Sequence, residues 1–335
     1  MKNNCKICDS IADKTGSHIV PHFLMKRIDT EEGKKGRDKE MGFVISEKNP
    51  SSYFGRATSL EKLEEVYNKI DEERIENNNI PLIEDYIFCS KCEAKLAELE
   101  DSYSKSLTVK TDEKNENYNS KIDSEKALIF WSSIFYRLSI SKNSGFKLRE
   151  ADEKMLKDIL KEYFEYGTIH PDANNISYKL LRAVNYSNTN STLLHINPQN
   201  QNPYLAVIDE YVIIFSLGKD ILVDKFYNTL IPTNEAETNS LTKDTEIIYS
   251  IENNVLTNLN AEFFNKAAEY YRKNLFAICD LIYQKFRIGD KMPDKMKGEI
   301  FDQIAKDEEI SFGDKYSIKH QFQIIYKVIK KRRLT

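Results

Sequence analysis

The sequence lacks the marks of several large protein classes. No stretch approaches the roughly 18 apolar residues of a membrane span, so no contact with a membrane is expected. The start, Met1-Lys2-Asn3-Asn4-Cys5, has no apolar run after its charge. A secretory signal is therefore not predicted, and the reading is a cytoplasmic protein. Glycine (11) and proline (8) are sparse, and no repeat or low-complexity tract is visible. Collagen, coiled-coil rods and secreted disulfide scaffolds are excluded. There is no G-x-x-x-x-G-K-S/T phosphate loop, so ATP binding by this chain is not predicted. There is no G-x-S-x-G elbow either. An excess of positive charge is also missing: 49 Lys and Arg against 53 Asp and Glu leave a net −4. Any nucleic-acid contact must come from a local basic patch.

The chain has 335 residues, 40% hydrophobic, enough for two or three domains with a real core. Five cysteines carry the most information. Four form two C-x-x-C pairs, Cys5-Lys6-Ile7-Cys8 and Cys89-Ser90-Lys91-Cys92. Disulfides are disfavoured without a secretion signal. A thioredoxin-like motif would be one pair near a βαβ unit. Four thiolates at this spacing match tetrahedral Zn²⁺, so a structural zinc is expected. Cys279 lies in an apolar helical run, Leu275-Phe276-Ala277-Ile278, where a buried small hydrophobe is the natural reading.

The organisation follows from pattern. Ser59, Leu60, Leu63, Val66 and Ile70 predict a capped helix, and another begins near Cys92. Phe43-Val44-Ile45 and Tyr86-Ile87-Phe88 look like short strands. Residues 111–124 are polar and aperiodic, and read as a linker between an N-terminal unit (1–110, with an insertion at 29–84) and a mainly helical unit (125–335). Helices are predicted over Ala127–Ile140, Met155–Tyr166 and Ile176–Tyr186. β-rich runs follow at 192–196, 204–208 and 211–215, with Asp209-Glu210 as a hairpin turn. Three more helices are predicted over 260–287, 293–309 and 315–333. The fold class is therefore α+β: a zinc-braced module, then a mainly α-helical domain with a small β-hairpin sheet.

The knuckles bracket the phrase Ser17-His18-Ile19-Val20-Pro21-His22-Phe23, and the second closes as Phe88-Cys89-x-x-Cys92-Glu93. This resembles the HNH endonuclease family, in its divergent bacterial branch with Ser-His-Ile-Ile-Pro and Cys-x-x-Cys-Glu. The resemblance covers residues 1 to about 105. It implies a ββα-metal, treble-clef-like module that grips one catalytic divalent metal, Mg²⁺ or Mn²⁺, and hydrolyses DNA phosphodiesters. It implies that His18 is the general base, a role that suits a pKa near neutrality. Its setting would be bacterial anti-phage defence or mobile elements, with a regulatory protein partner docking on the helical domain.

Three positions depart from the family pattern. Ser17 stands where a metal-ligating Asp, Glu or His is usual. Glu93 stands where His or Asn is usual, and its oxygens suit a hard cation. Glu84 and Asp85 occupy the stretch of the usual middle Asn. His18 thus remains open between a nuclease base, a ligand in an inactive relic that binds nucleic acid or a protein partner, and a histidine packed beside the knuckle. His22 is more naturally a surface or core histidine, since Pro21 interrupts any helix shared with His18. Glu93 is equally a favourable charge at a helix start.

Residues 315–335 hold seven Lys and Arg and no acid, and end in Lys330-Lys331-Arg332-Arg333. Such a tail can neutralise phosphates, or simply be a solvated helix end. His170, His195 and His320 read as a turn, a structural and a surface or interface residue. The many Tyr and Phe, 19 and 17, read as core packing.

Overall fold

The computed structural model describes residues 3–25, 41–46, 51–54, 60–67, 82–107, 118–183, 191–195, 202–218, 236–286, 288–306 and 318–333. The strands are β1 (Ser17–His18), β2 (Met41–Ser46), β3 (Ser51–Phe54), β4 (Ile83–Glu84), β5 (Tyr118–Asp123), β6 (Ile176–Arg182), β7 (Ser191–His195), β8 (Tyr204–Ile208), β9 (Tyr211–Leu217) and β10 (Thr245–Ser250). The helices are α1 (Leu60–Tyr67), α2 (Ser90–Leu107), α3 (Ser124–Ile140), α4 (Glu150–Tyr166), α5 (Asn253–Lys285), α6 (Asp294–Ala305) and α7 (Ile318–Arg333). The class is α+β, as expected.

The centre is a mixed sheet of eight strands in the order β3-β2-β7-β8-β9-β6-β10-β5. Its heart is the expected hairpin, β8 and β9, joined at Asp209-Glu210. Asp209 has φ +52°, the left-handed backbone that a tight two-residue turn requires. These strands are apolar throughout because both faces are covered. Tyr204, Ala206, Ile208, Ile213 and Phe215 pack with α3 and α4 on one face. Leu205, Val207, Val212 and Ile214 pack with Leu256, Leu259 and Phe263 of α5 on the other. The period of two along a strand makes this division.

The sheet reaches beyond the expected hairpin. The predicted helix over Ile176–Tyr186 is instead strand β6, paired along its length with β9 and parallel to β10. A short apolar run fits helix or strand equally until its neighbours are known. Residues 111–124 are not all linker, since Tyr118–Asp123 form β5 against β10. An edge strand needs backbone pairing rather than an apolar period. Asp123 then caps α3 by accepting from the Lys126 N–H at 2.8 Å. The rest of the expected linker, 111–117, lies outside the described residues. Towards the other edge, β2, from the expected insertion, runs parallel to β7 and antiparallel to the edge strand β3. The expected strand at Tyr86–Phe88 is an irregular turn instead.

The N-terminal cysteine segments and α2 belong to the same apolar core as α3, α4 and one sheet face. The far half of α5 forms a separate core with α6 and α7, built on Leu275, Cys279, Ile300, Ile325 and Ile329. Cys279 is fully buried there, as expected, and burial pushes its thiol up to about 12. No described helix is long and apolar enough to cross a membrane.

Candidate metal centre and the histidine beside it

The two knuckles are distant in sequence and zipped together by backbone. Lys6 N donates to Ile87 O at 2.9 Å, Lys14 N to Phe88 O at 3.2 Å, and Tyr86 N to Lys14 O at 2.7 Å. Asp13 caps α2, accepting from Ser90 N at 2.7 Å and Ser90 Oγ at 2.8 Å. These bonds set Cys89 and Cys92 at the start of α2, facing Cys5 and Cys8.

All four Sγ atoms lie within 4.8 Å of one another, and Cys8 and Cys89 are 3.5 Å apart. A zinc–sulfur distance of about 2.3 Å implies an S···S edge of about 3.8 Å. The four sulfurs are thus close enough to hold one metal ion such as zinc. All four are free thiols. A hydrogen bond from Cys92 holds the Cys5 thiol down to about 4, while the same bond pushes Cys92 up. Burial pushes Cys89 up. A cavity of about 320 Å³ opens beside Cys8 and Cys89, with Lys91, Lys95 and Lys161 on its walls. Those cations suit four thiolates and Zn²⁺, whose charges sum to about −2. Among the described residues no other group of three or more His, Cys, Asp or Glu donors converges in this way.

His18 sits on β1, which pairs with β4 so that Ser17 faces Glu84 and His18 faces Ile83. The His18 side chain is half-buried, so the ring is not sealed in the core. Its carbonyl accepts from Arg137 Nη1 at 2.9 Å. The same nitrogen donates to Glu100 on α2 at 2.6 Å. Ser17 is completely buried, and its hydroxyl donates to Glu93 Oε2 at 3.0 Å. Burial pushes the Glu93 carboxyl above its ordinary range, against the pull of Ser17 and Arg137. Glu93 is therefore brought to the residue beside His18, and Arg137 fixes the backbone there.

The other acids are engaged elsewhere. Glu84 accepts from Lys142 N at 2.8 Å and from the Ser141 hydroxyl, tying β4 to the end of α3. Asp85 accepts from Gly16 N at 2.7 Å. His22 opens a short 3-10 turn, His22–Met25, so it does not continue a helix with His18. The His22 side chain lies outside the described residues, as do those of His195 and Arg333.

His170 has a structural partner: its Nδ1 accepts from Asp172 N at 3.2 Å. His320 is buried rather than on the surface, because it lies on the packed side of α7. Lys330, Lys331 and Arg332 are exposed, and Arg332 donates to both Glu299 oxygens at 2.7 and 2.8 Å.

Arg137 and Glu100 went unnoticed in the sequence. The signal was one arginine inside the most apolar helix of the chain, since a buried charge must find a partner.

No protein-family model matches this chain, and neither a curated protein nor a solved structure matches it.

Proposed function

We propose that the chain is a zinc-braced, HNH-type endonuclease that hydrolyses DNA phosphodiesters, with His18 as general base. The observation that carries this reading is the Ser17–Glu93 hydrogen bond beside His18, held in place by the converging cysteines. Ser17 is too poor a ligand for the role the family pattern gives that position. Glu93 brings a carboxylate to the same point from α2. The half-buried His18 imidazole takes a proton from the attacking water, an exchange for which an imidazole is the usual side chain.

Cys5, Cys8, Cys89 and Cys92 hold the structural Zn²⁺. Glu93 would hold a catalytic Mg²⁺ or Mn²⁺, which when bound stabilises charge on the leaving oxygen. One carboxylate suits Mg²⁺, which keeps several waters and takes substrate oxygens for the rest. Arg137 acts through the backbone by fixing the His18 carbonyl. Lys330 and Lys331 give the DNA a phosphate contact that carries no sequence. By analogy with that family the setting would be bacterial anti-phage defence or mobile elements, with a regulatory partner on the helical region.

A second reading has its own support. Glu84 and Asp85 already accept from backbone N–H groups. A module short of cation ligands would bind nucleic acid or a protein without cutting. Plasmid nicking with Mg²⁺ or Mn²⁺ separates the two. Cation-dependent nicking that falls at least about 100-fold in His18→Ala supports the nuclease. DNA binding with no nicking by the wild type supports the binding module.

A further inference from the structure

Helix α7 spends its apolar residues on its own core. Ile324, Ile325, Val328 and Ile329 are buried against α5 and α6. The opposite side carries two rows at i, i+4 spacing. One is Phe322, Tyr326 and Lys330, and the other is Lys319, Gln323 and Lys327, all exposed. Phe322 is 47% and Tyr326 45% exposed. The Tyr326 ring lies 6.1 Å from that of Phe286. The helix contains six cations and no acid. The carboxylate of Glu299 on the neighbouring helix is bonded to Arg332.

We propose that this face binds single-stranded nucleic acid. Lys319, Lys327 and Lys330 meet phosphates, and Phe322 and Tyr326 each stack on a base. Successive members of one row rise about 6 Å over four residues, so the two rings present separate platforms to successive bases. Every base has a stacking face, so the contact needs no particular sequence. A duplex offers no unstacked base to these rings. An anionic membrane fits less well, because a helix lying on lipid buries its apolar side there, and α7 has already buried its own. The proposal takes its ligand class from the nucleic-acid reading above. It does not need the hydrolysis.

The test is fluorescence anisotropy of labelled (dT)20 with the full zinc-loaded chain, without added divalent cation, over a salt series. Each variant is checked by its thermal melt. Phe322→Ala with Tyr326→Ala is expected to weaken binding at least tenfold with the salt slope unchanged. Lys319→Ala with Lys327→Ala is expected to lower the slope of log K against log salt by about 1.4. Because these side chains are exposed, both variants should melt like the wild type; if the aromatic pair does not, the lysine pair decides. No binding of (dT)20, or unchanged binding and slope in both variants, would overturn the proposal. So would stronger binding to phosphatidylserine vesicles that the same substitutions abolish. Nicking lost in His18→Ala together with unaltered (dT)20 binding in the α7 variants would sink this proposal and leave the nuclease standing. The converse pattern would do the reverse.

Discussion

Glu246 is removed from water and Glu93 only partly so, and their surroundings make them different groups. Glu246, on β10, is completely buried and accepts from three donors. Tyr178 donates at 2.7 Å, Tyr103 at 2.8 Å and the Trp131 indole N–H at 2.9 Å. Among the described residues no cation pairs with it, and burial pushes its carboxyl up to about 7. Glu93 is only partly buried and, among the described residues, accepts one bond, from Ser17. A carboxylate has about four acceptor sites. Glu246 spends its capacity joining α2, α3, β6 and β10, while among the described residues Glu93 serves one donor on β1. The first holds the fold. The second ties the start of α2 to β1 through the Ser17 hydroxyl.

The strongest way to break this contrast is to release the frame that holds Glu93. Structural zinc binding contributes an apparent 10–16 kcal/mol, so one lost thiolate is a large loss. Cys89→Ser should release the metal and lower the melting temperature by about 10 °C or more. Unchanged melting in that variant would remove the frame from the account.

Deleting each carboxylate in turn compares the two sites directly. Glu246→Ala leaves two phenols and an indole without their buried acceptor, and should cost about 3 kcal/mol or more in denaturant unfolding. Glu93→Ala removes one hydrogen bond and should cost about 1 kcal/mol or less, while cation-dependent nicking is lost. Equal costs would erase the distinction.

The pH dependence sharpens it. A carboxyl raised from 4.5 to about 7 binds its proton more tightly in the folded chain. Its contribution is complete below the unfolded value and is lost as pH rises through about 7. That loss amounts to about 3 kcal/mol. Measured against Glu246→Gln, the wild type should therefore lose stability between pH 5 and pH 8. A parallel pair of curves would contradict the raised value. The smallest effect belongs to the surface. Arg332→Ala should change stability by no more than about 0.5 kcal/mol, since its pair with Glu299 is 41% exposed on both sides.

What the sequence made legible tracks the range of each interaction. The cysteine spacing, the α3 and α5–α7 helices and the Asp209-Glu210 turn are local patterns, and they read directly. Strand β6 read as a helix because its neighbours, β9 and β10, lie far along the chain. Strand β5 read as linker because an edge strand shows little apolar period. The Glu246 cluster was invisible, since four residues spread over more than a hundred positions meet only in the folded core. At the site, His18 and Glu93 are legible from their motif, but the role of Ser17 is not, because its hydroxyl bonds Glu93 from 76 residues away. On α7 the period was clear, but it did not say that Phe322 and Tyr326 would stay outside.

The most direct test of the central claim is X-ray absorption at the zinc edge, on full-length protein purified without chelator. About one zinc per chain with four sulfur neighbours at about 2.3 Å is the predicted result. A chain without zinc, or a zinc shell made of oxygen and nitrogen, would contradict it.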